Sequence, residues 1–202
     1  GPGDRLGLAA GPSALAIAAL HGVPRAGVDV VLVHPLLTAD EVAALLDDAG
    51  CRACIVDPAV SVALPPGVER LDLGDLAARV PTGRAARAPR AAPADAVDVI
   101  VPTSGTMARP KLALLPLDRL AASARAWNEA LPDASGWLLS LGLAHVAGIG
   151  IASRAAAAGV PVVVASDVDA LALLEAIRNA AERGTVVSHL SLVVAQMAGL
   201  LD

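Results

Sequence analysis

Lys111 is the only lysine in the chain, and it closes the run Thr103-Ser104-Gly105-Thr106-Met107-Ala108-Arg109-Pro110-Lys111. Hydroxyls, a glycine and one compact ammonium suit a loop wrapped around phosphate. The hydroxyls donate hydrogen bonds, Gly105 lets backbone come close, and Lys111 supplies a point charge. Pro110 fixes its own φ and pushes Arg109 toward extended geometry, which stiffens the exit. A ligand-free polar turn has the same composition, so the run alone leaves both readings open. His145 lies in an apolar, glycine-rich stretch. That setting suits a satisfied core histidine as well as a site residue. Cys51 and Cys54 form a lone Cys-x-x-Cys, without a second pair or a nearby histidine at zinc-finger spacing. Cys51–Val56 reads as a β-strand, on which residues three apart face opposite sides. Two reduced core residues are expected there, and no metal ligands. The pairs Asp40-Glu41 and Asp47-Asp48 read as solvated helix faces.

The chain has 202 residues, and 55% are hydrophobic, yet Trp127 and Trp137 are the only aromatics. The core must be mostly Ala, Leu and Val. Net charge is −5 with scattered arginines, so no nucleic-acid stripe forms and no nucleic-acid partner is expected. Leu6–Pro24 and Ala134–Ser153 lack Asp, Glu, Lys and Arg and reach the length of a membrane span. Glycines, Pro12 and His145 interrupt them, and alternating short elements explain them better. Asp4 beside Arg5 argues against a signal peptide's apolar region. A soluble, cytoplasmic protein without a membrane span is expected.

Steps of strand and helix position these residues. Leu6–Ala9, Val30–Val33 and Ala53–Val56 are short apolar runs of the kind found in buried parallel strands. A helix from about Ser13 to His21 separates the first two. Between the second and third, Thr38 and Glu41 make a capping box for a helix over Ala39–Ala49, ended by Gly50. This rhythm predicts an α/β fold, with mostly parallel sheets flanked by helices. Residues 83–94 are rich in Ala, Arg and Pro and read as a mobile linker. It divides a first α/β segment, 1–82, from a second, 95–202, which begins with the phosphate loop. Val97–Val101 leads into that loop. Beyond it, helices are expected near 117–131, 149–158, 168–181 and 192–201, with extended segments at 137–141, 160–164 and 185–190.

The run at 103–111 is not the P-loop of the Walker type, which needs Gly before its Lys and Ser or Thr after it. It resembles the signature loop of the AMP-forming acyl-CoA synthetases, the adenylate-forming ligases, whose usual form is Thr-Ser-Gly-Thr-Thr-Gly-x-Pro-Lys-Gly. Thr103 to Thr106, Pro110 and Lys111 match, while Met107, Ala108 and Leu112 depart from it. Gly3-Asp4-Arg5-Leu6-Gly7-Leu8 resembles the family's strand entry, and Val33–Val42 its Leu-Asn-Pro-x-Leu-Thr-x-x-Glu-Leu segment. Leu143-Ala144-His145-Val146-Ala147-Gly148 is similar to its Pro-Leu-x-His-x-x-Gly segment, with Arg154 and Gly159 as the continuation. Ser188–Val193 is similar to Thr-x-x-Ser-Leu-Val. The order agrees over essentially the whole chain. The last segments are most similar to the o-succinylbenzoate–CoA ligase branch, which serves menaquinone synthesis.

The resemblance implies part of the large N-terminal domain of an ATP-dependent ligase. Such an enzyme adenylates a carboxylic acid with ATP and Mg²⁺, then transfers the acyl group to CoA. Thr103, Ser104, Gly105, Thr106 and Lys111 would hold the ATP phosphates, and His145 would lie beside the acyl carboxylate and adenylate. Segments matching the family's adenine and magnesium site and its C-terminal domain are missing, so the chain alone is expected to be inactive. A non-catalytic nucleotide-binding module and a flavodoxin-like domain without nucleotide at the loop remain as alternatives.

Overall fold

The computed structural model describes residues 4–79, 97–103, 111–165 and 167–201. Two compact units form, 1–118 and 119–202. In the first, β1 (Arg5–Ala9), α1 (Ala14–Arg25), β2 (Asp29–Val33), α2 (Ala39–Asp48) and β3 (Ala53–Val56) follow the alternation expected. They continue into β4 (Glu69–Asp72), α3 (Leu73–Ala78), β5 (Asp98–Thr103) and β6 (Lys111–Pro116). The sheet order is β4-β3-β1-β2-β5-β6, with every neighbouring pair parallel except the antiparallel β5–β6 edge. Parallel neighbours need crossover helices, and the Thr38–Glu41 capping box starts one of them, with both reciprocal hydrogen bonds formed.

The second unit is smaller. It contains most of α4 (Leu117–Ala130), then β7 (Trp137–Leu139), α5 (Val146–Ala158), β8 (Val162–Val164), α6 (Ala170–Glu182), β9 (His189–Leu190) and α7 (Val194–Leu201). Its sheet is parallel throughout, in the order β8-β7-β9. The central strand β7 is fully buried, as a parallel strand covered on both faces must be.

Several details differ from the sequence reading. The expected linker 83–94 lies outside the described residues. The division between compact units falls after Asp118, and β5 pairs with β2, so residues on both sides of 83–94 build one sheet. Helix α1 runs past His21 and takes Pro24 into its last turn. Strand β4 is edge-placed and charged, so it carries no apolar run to reveal it. Strand β6 was not expected, because its residues read only as the exit of the loop. Cys51 precedes β3 instead of lying on it, so the alternation rule does not reach it. Both cysteines enter one cluster with Val31, Leu46 and Val56. Both thiols are free, and burial pushes the Cys51 pKa to about 11 and that of Cys54 to about 12. They are poor nucleophiles at neutral pH.

Gly7 makes this core possible. A Cβ there would stand 2.7 Å from Cys54 Sγ and 3.0 Å from Leu46 Cδ2. Gly7→Ala should therefore cost about 1–3 kcal/mol in urea unfolding. Adding Cys54→Ala should recover part of the loss, which a double-mutant cycle would read as coupling between neighbours.

At the other end of the strands, the Asp98 N–H donates to Asp29 Oδ1 at 3.0 Å, and Asp29 Oδ2 pairs with Arg5 Nε at 3.4 Å. Partial burial, then the Asp29 charge, raises the Asp98 pKa; Arg5 opposes and Asp118 adds slightly to it. A raised folded pKa means the native state holds this proton better than the unfolded chain does. Asp98 therefore costs most stability when ionised, and the cost fades as pH falls through the carboxylate range. Asp98→Asn should stabilise the chain at about pH 7, and the advantage should shrink toward about pH 4, as urea titrations at both values would report.

Candidate functional site

The first candidate group lies at the β5–β6 edge. Thr103 and Lys111 face each other in register as the ends of the two strands, and Thr103 Oγ1 donates to the Lys111 carbonyl at 3.3 Å. Both residues are exposed. Pairing up to this register pins the two ends of the run, so the Lys111 side chain leaves from a fixed backbone. Ser104, Gly105 and Thr106 lie outside the described residues.

The second group is in the second unit. His145 is exposed, which overturns the reading of a buried core histidine. It occupies the N-cap of α5 in extended geometry, accepting the Ile149 N–H with its carbonyl and donating its own N–H to the Gly142 carbonyl. The cap makes no side-chain hydrogen bond to the helix. Sequence alone started this helix at about Ile149; it begins at Val146, so His145 moves from a loop to a helix entry. Gly148 explains how the helix sits so tightly on the preceding turn. A Cβ at 148 would overlap the Gly142 carbonyl oxygen and stand 2.6 Å from that of Leu141.

Beside this entry lies a cluster that the sequence did not reveal as a site. The Arg154 guanidinium sits 4.5 Å from the ring centre of Trp127 and 5.2 Å from that of Trp137. Such stacking attracts a cation to the ring face. Arg154 Nη1 donates to Ser191 Oγ at 3.1 Å, and Asn128 Nδ2 donates to the Arg154 carbonyl at 3.0 Å. Burial lowers the Arg154 pKa. Among the described residues no carboxylate forms an ion pair with it. Arg154, Trp127, Ser123 and Gly150 line a cavity of about 240 Å³. The signals available in the sequence were the two tryptophans, both N-terminal to Arg154, and Arg154 itself as the one charged residue of α5.

The remaining histidines play structural parts. The His189 ring lies 5.0 Å from Trp137, and its Nδ1 meets Ser188 Oγ at 2.8 Å. His34 Nδ1 accepts the Leu36 N–H at 3.1 Å. Among the described residues no three His, Cys, Asp or Glu side chains gather to hold a metal, and no helix is long and apolar enough to cross a membrane.

The chain belongs to the AMP-binding enzyme family, whose model matches residues 1–198. Over 110 residues it is 38% identical to the probable 2-succinylbenzoate–CoA ligase of Mycobacterium tuberculosis, covering 53% of this chain and 28% of that one. The fold is similar to that of the O-succinylbenzoate coenzyme A synthetase from Bacillus subtilis in complex with AMP. The TM-score is 0.80 at 22% identity, over 99% of this chain and 51% of the synthetase. The Klebsiella oxytoca NpsA N-terminal subdomain in complex with 3-hydroxybenzoyl-AMSN is also similar, with a TM-score of 0.74 at 20% identity, over 95% and 47% of the two chains. The chain thus spans about half the length of the synthetase and less of the ligase.

The two glycines of α5 should respond differently. Gly148→Ala forces backbone against backbone and should lower stability by at least about 1–3 kcal/mol. At Gly150 a Cβ meets only the Arg154 guanidinium, 3.1 Å away, and that flexible end can move. Gly150→Ala should keep the melting temperature and change only the Trp127 and Trp137 fluorescence.

Proposed function

We propose that this chain supplies the phosphate-holding loop and part of the acyl pocket of an ATP-dependent, AMP-forming acid–CoA ligase. The acid is 2-succinylbenzoate, and the setting is menaquinone synthesis in the cytoplasm. The observation that carries this reading is the family match over residues 1–198, with the matched loop ending at the pinned Thr103–Lys111 pair.

In this reaction a substrate carboxylate oxygen attacks the α-phosphorus of ATP. The bond to the bridging oxygen of pyrophosphate breaks, and an acyl-adenylate forms. The thiol of CoA then attacks the acyl carbon and AMP leaves. The chain's contribution is positioning and charge stabilisation. Lys111 and Thr103, with Ser104, Gly105 and Thr106, would hold the leaving phosphates. His145 would sit beside the carboxylate being activated. Mg²⁺ would share the charge of the phosphates when bound. 2-Succinylbenzoate has two carboxylates, and the one not activated needs a cation. Arg154 supports that role, since it is a half-buried guanidinium on a cavity wall with a serine for company.

Calorimetric titration with pyrophosphate and with ATP tests the loop. Lys111→Ala should weaken binding by about 1.5–3 kcal/mol, roughly 10- to 150-fold. Lys111→Arg should recover only part, because a planar fork replaces a point charge. Equal affinity for Lys111→Ala and the parent chain would return the loop to an ordinary turn and favour the non-catalytic alternatives. With ATP and 2-succinylbenzoate together, the 202-residue chain alone should release no pyrophosphate. Turnover would refute the view that the reaction needs segments this chain does not match.

A further inference from the structure

Of the three buried polar or charged residues among the described ones, two, Ser140 and Gln196, meet where β7 and β9 end. Burying a polar side chain costs free energy unless its atoms find partners. Here the partners close a ring. Ser140 donates its hydroxyl to the Ser191 carbonyl, and its own carbonyl accepts from Gln196 Nε2 at 2.7 Å. Gln196 Oε1 accepts the Val193 N–H at 3.0 Å, and Nε2 also donates to the Val168 carbonyl at 2.8 Å. Residues 191 and 193 are thus both tied back to Ser140, one directly and one through Gln196. Leu192 between them packs against the cluster of Leu138, Ala165 and Leu173. The backbone that carries the Ser191 hydroxyl has little room to turn.

That hydroxyl accepts from Arg154 Nη1 at 3.1 Å. Trp127 and Trp137 set the tilt of the guanidinium, because a cation is drawn to the ring face. Stacking still lets a planar group turn within its own plane. The hydrogen bond to Ser191 fixes that remaining angle. The angle matters because a guanidinium grips a carboxylate with two parallel N–H groups, and only one edge of the fork can face the ligand. We propose that Ser140 and Gln196 are positioning residues: acting through Ser191, they fix which edge of the Arg154 guanidinium faces the cavity beside Trp127 and Gly150. Neither side chain lines that cavity. The proposal deepens the reading of Arg154 as the holder of the second carboxylate, and it rests on that reading only where an acid is the probe.

The first measurement needs no ligand. NMR on the arginine-labelled chain reads the rotation rate of each guanidinium, and Arg154→Lys identifies the signal of Arg154. Ser191→Ala should speed that rotation about tenfold or more, since it removes a hydrogen bond made by a charged group. Ser140→Ala and Gln196→Met should each speed it about three- to tenfold in the folded chain, the worth of a neutral hydrogen bond. The deciding variant combines Ser140→Ala with Ser191→Ala. Ser191→Ala keeps the backbone carbonyl that Ser140 holds and removes only the link to Arg154. In that background Ser140→Ala should change the rotation no further, although it still lowers the melting temperature. Repetition of its full effect there, or a parent-like rotation rate in Ser140→Ala alone, would overturn the proposal. Should Ser140→Ala fail to fold, Gln196→Met in the same cycle decides.

The second measurement compares binding of 2-succinylbenzoate with that of benzoylpropionate, which lacks the ring carboxylate, through the tryptophan fluorescence of the chain. The parent should prefer the first by about tenfold or more, the worth of one charge-assisted contact. Ser140→Ala should cut that preference about three- to tenfold and leave pyrophosphate binding unchanged. An undiminished preference would overturn the proposal. Equal affinity of the parent for both acids would instead remove the acid assignment of Arg154, while the rotation rates still decide the positioning by themselves.

Discussion

The second unit depends on one close approach, the seating of α5 on the turn that follows β7. Gly148 has no Cβ, so the helix backbone can settle against the carbonyls of Leu141 and Gly142. The turn is held from the other side as well. Ser140 donates its hydroxyl to the Ser191 carbonyl, and the Ser140 carbonyl accepts from Gln196. β7 is fully buried and central in its sheet, so this turn hangs from the middle of the unit. His145 at the helix entry and Arg154 two turns along inherit their positions from that seating. A buried polar network of this kind costs most when it is half satisfied, which is why Gln196 faces inward although the helix around it is apolar.

The first unit solves a different problem. A core with neither Phe nor Tyr must reach native density with small side chains. It does so by bringing sheet and helix close. Gly7 sits under Leu46 and Cys54, and valines of β2 fill the space between. The sulfur atoms serve as small apolar fillers, and their raised pKa values follow from that use. The same economy leaves little volume to absorb an added methyl group.

The alternation of apolar runs with capped helices made the parallel architecture legible, and Thr38 with Glu41 fixed one helix start to the residue. Those signals are local, so sequence carries them directly. What stayed hidden depends on contacts distant in sequence. Strand β4 declares itself only by pairing with β3, and β6 only by folding back on β5. Lys111 was legible as chemistry because it stands alone in the composition. His145 was legible as a candidate but not as an exposed one, since an apolar neighbourhood in sequence says nothing about which side of a helix entry the ring takes. Arg154 was visible only as a motif position. Its stacking on Trp127 and Trp137 joins residues from α4, β7 and α5, and no window of sequence holds all three.

The two candidate groups also differ in the kind of recognition they offer. The β5–β6 edge presents a point charge at Lys111 and a hydroxyl at Thr103, both exposed, which suits a ligand bearing several equivalent oxygens. Arg154 presents a planar guanidinium over two tryptophan rings and tied to Ser191, which suits one carboxylate in one orientation. An exposed point charge acts chiefly by electrostatics and fixes no single orientation of the oxygens it meets. A half-buried guanidinium is costly to leave without an anion, so an anion bound there would be held in one geometry. Under the function proposed above, discrimination among acids would therefore rest on the Arg154 cluster more than on Lys111 and Thr103.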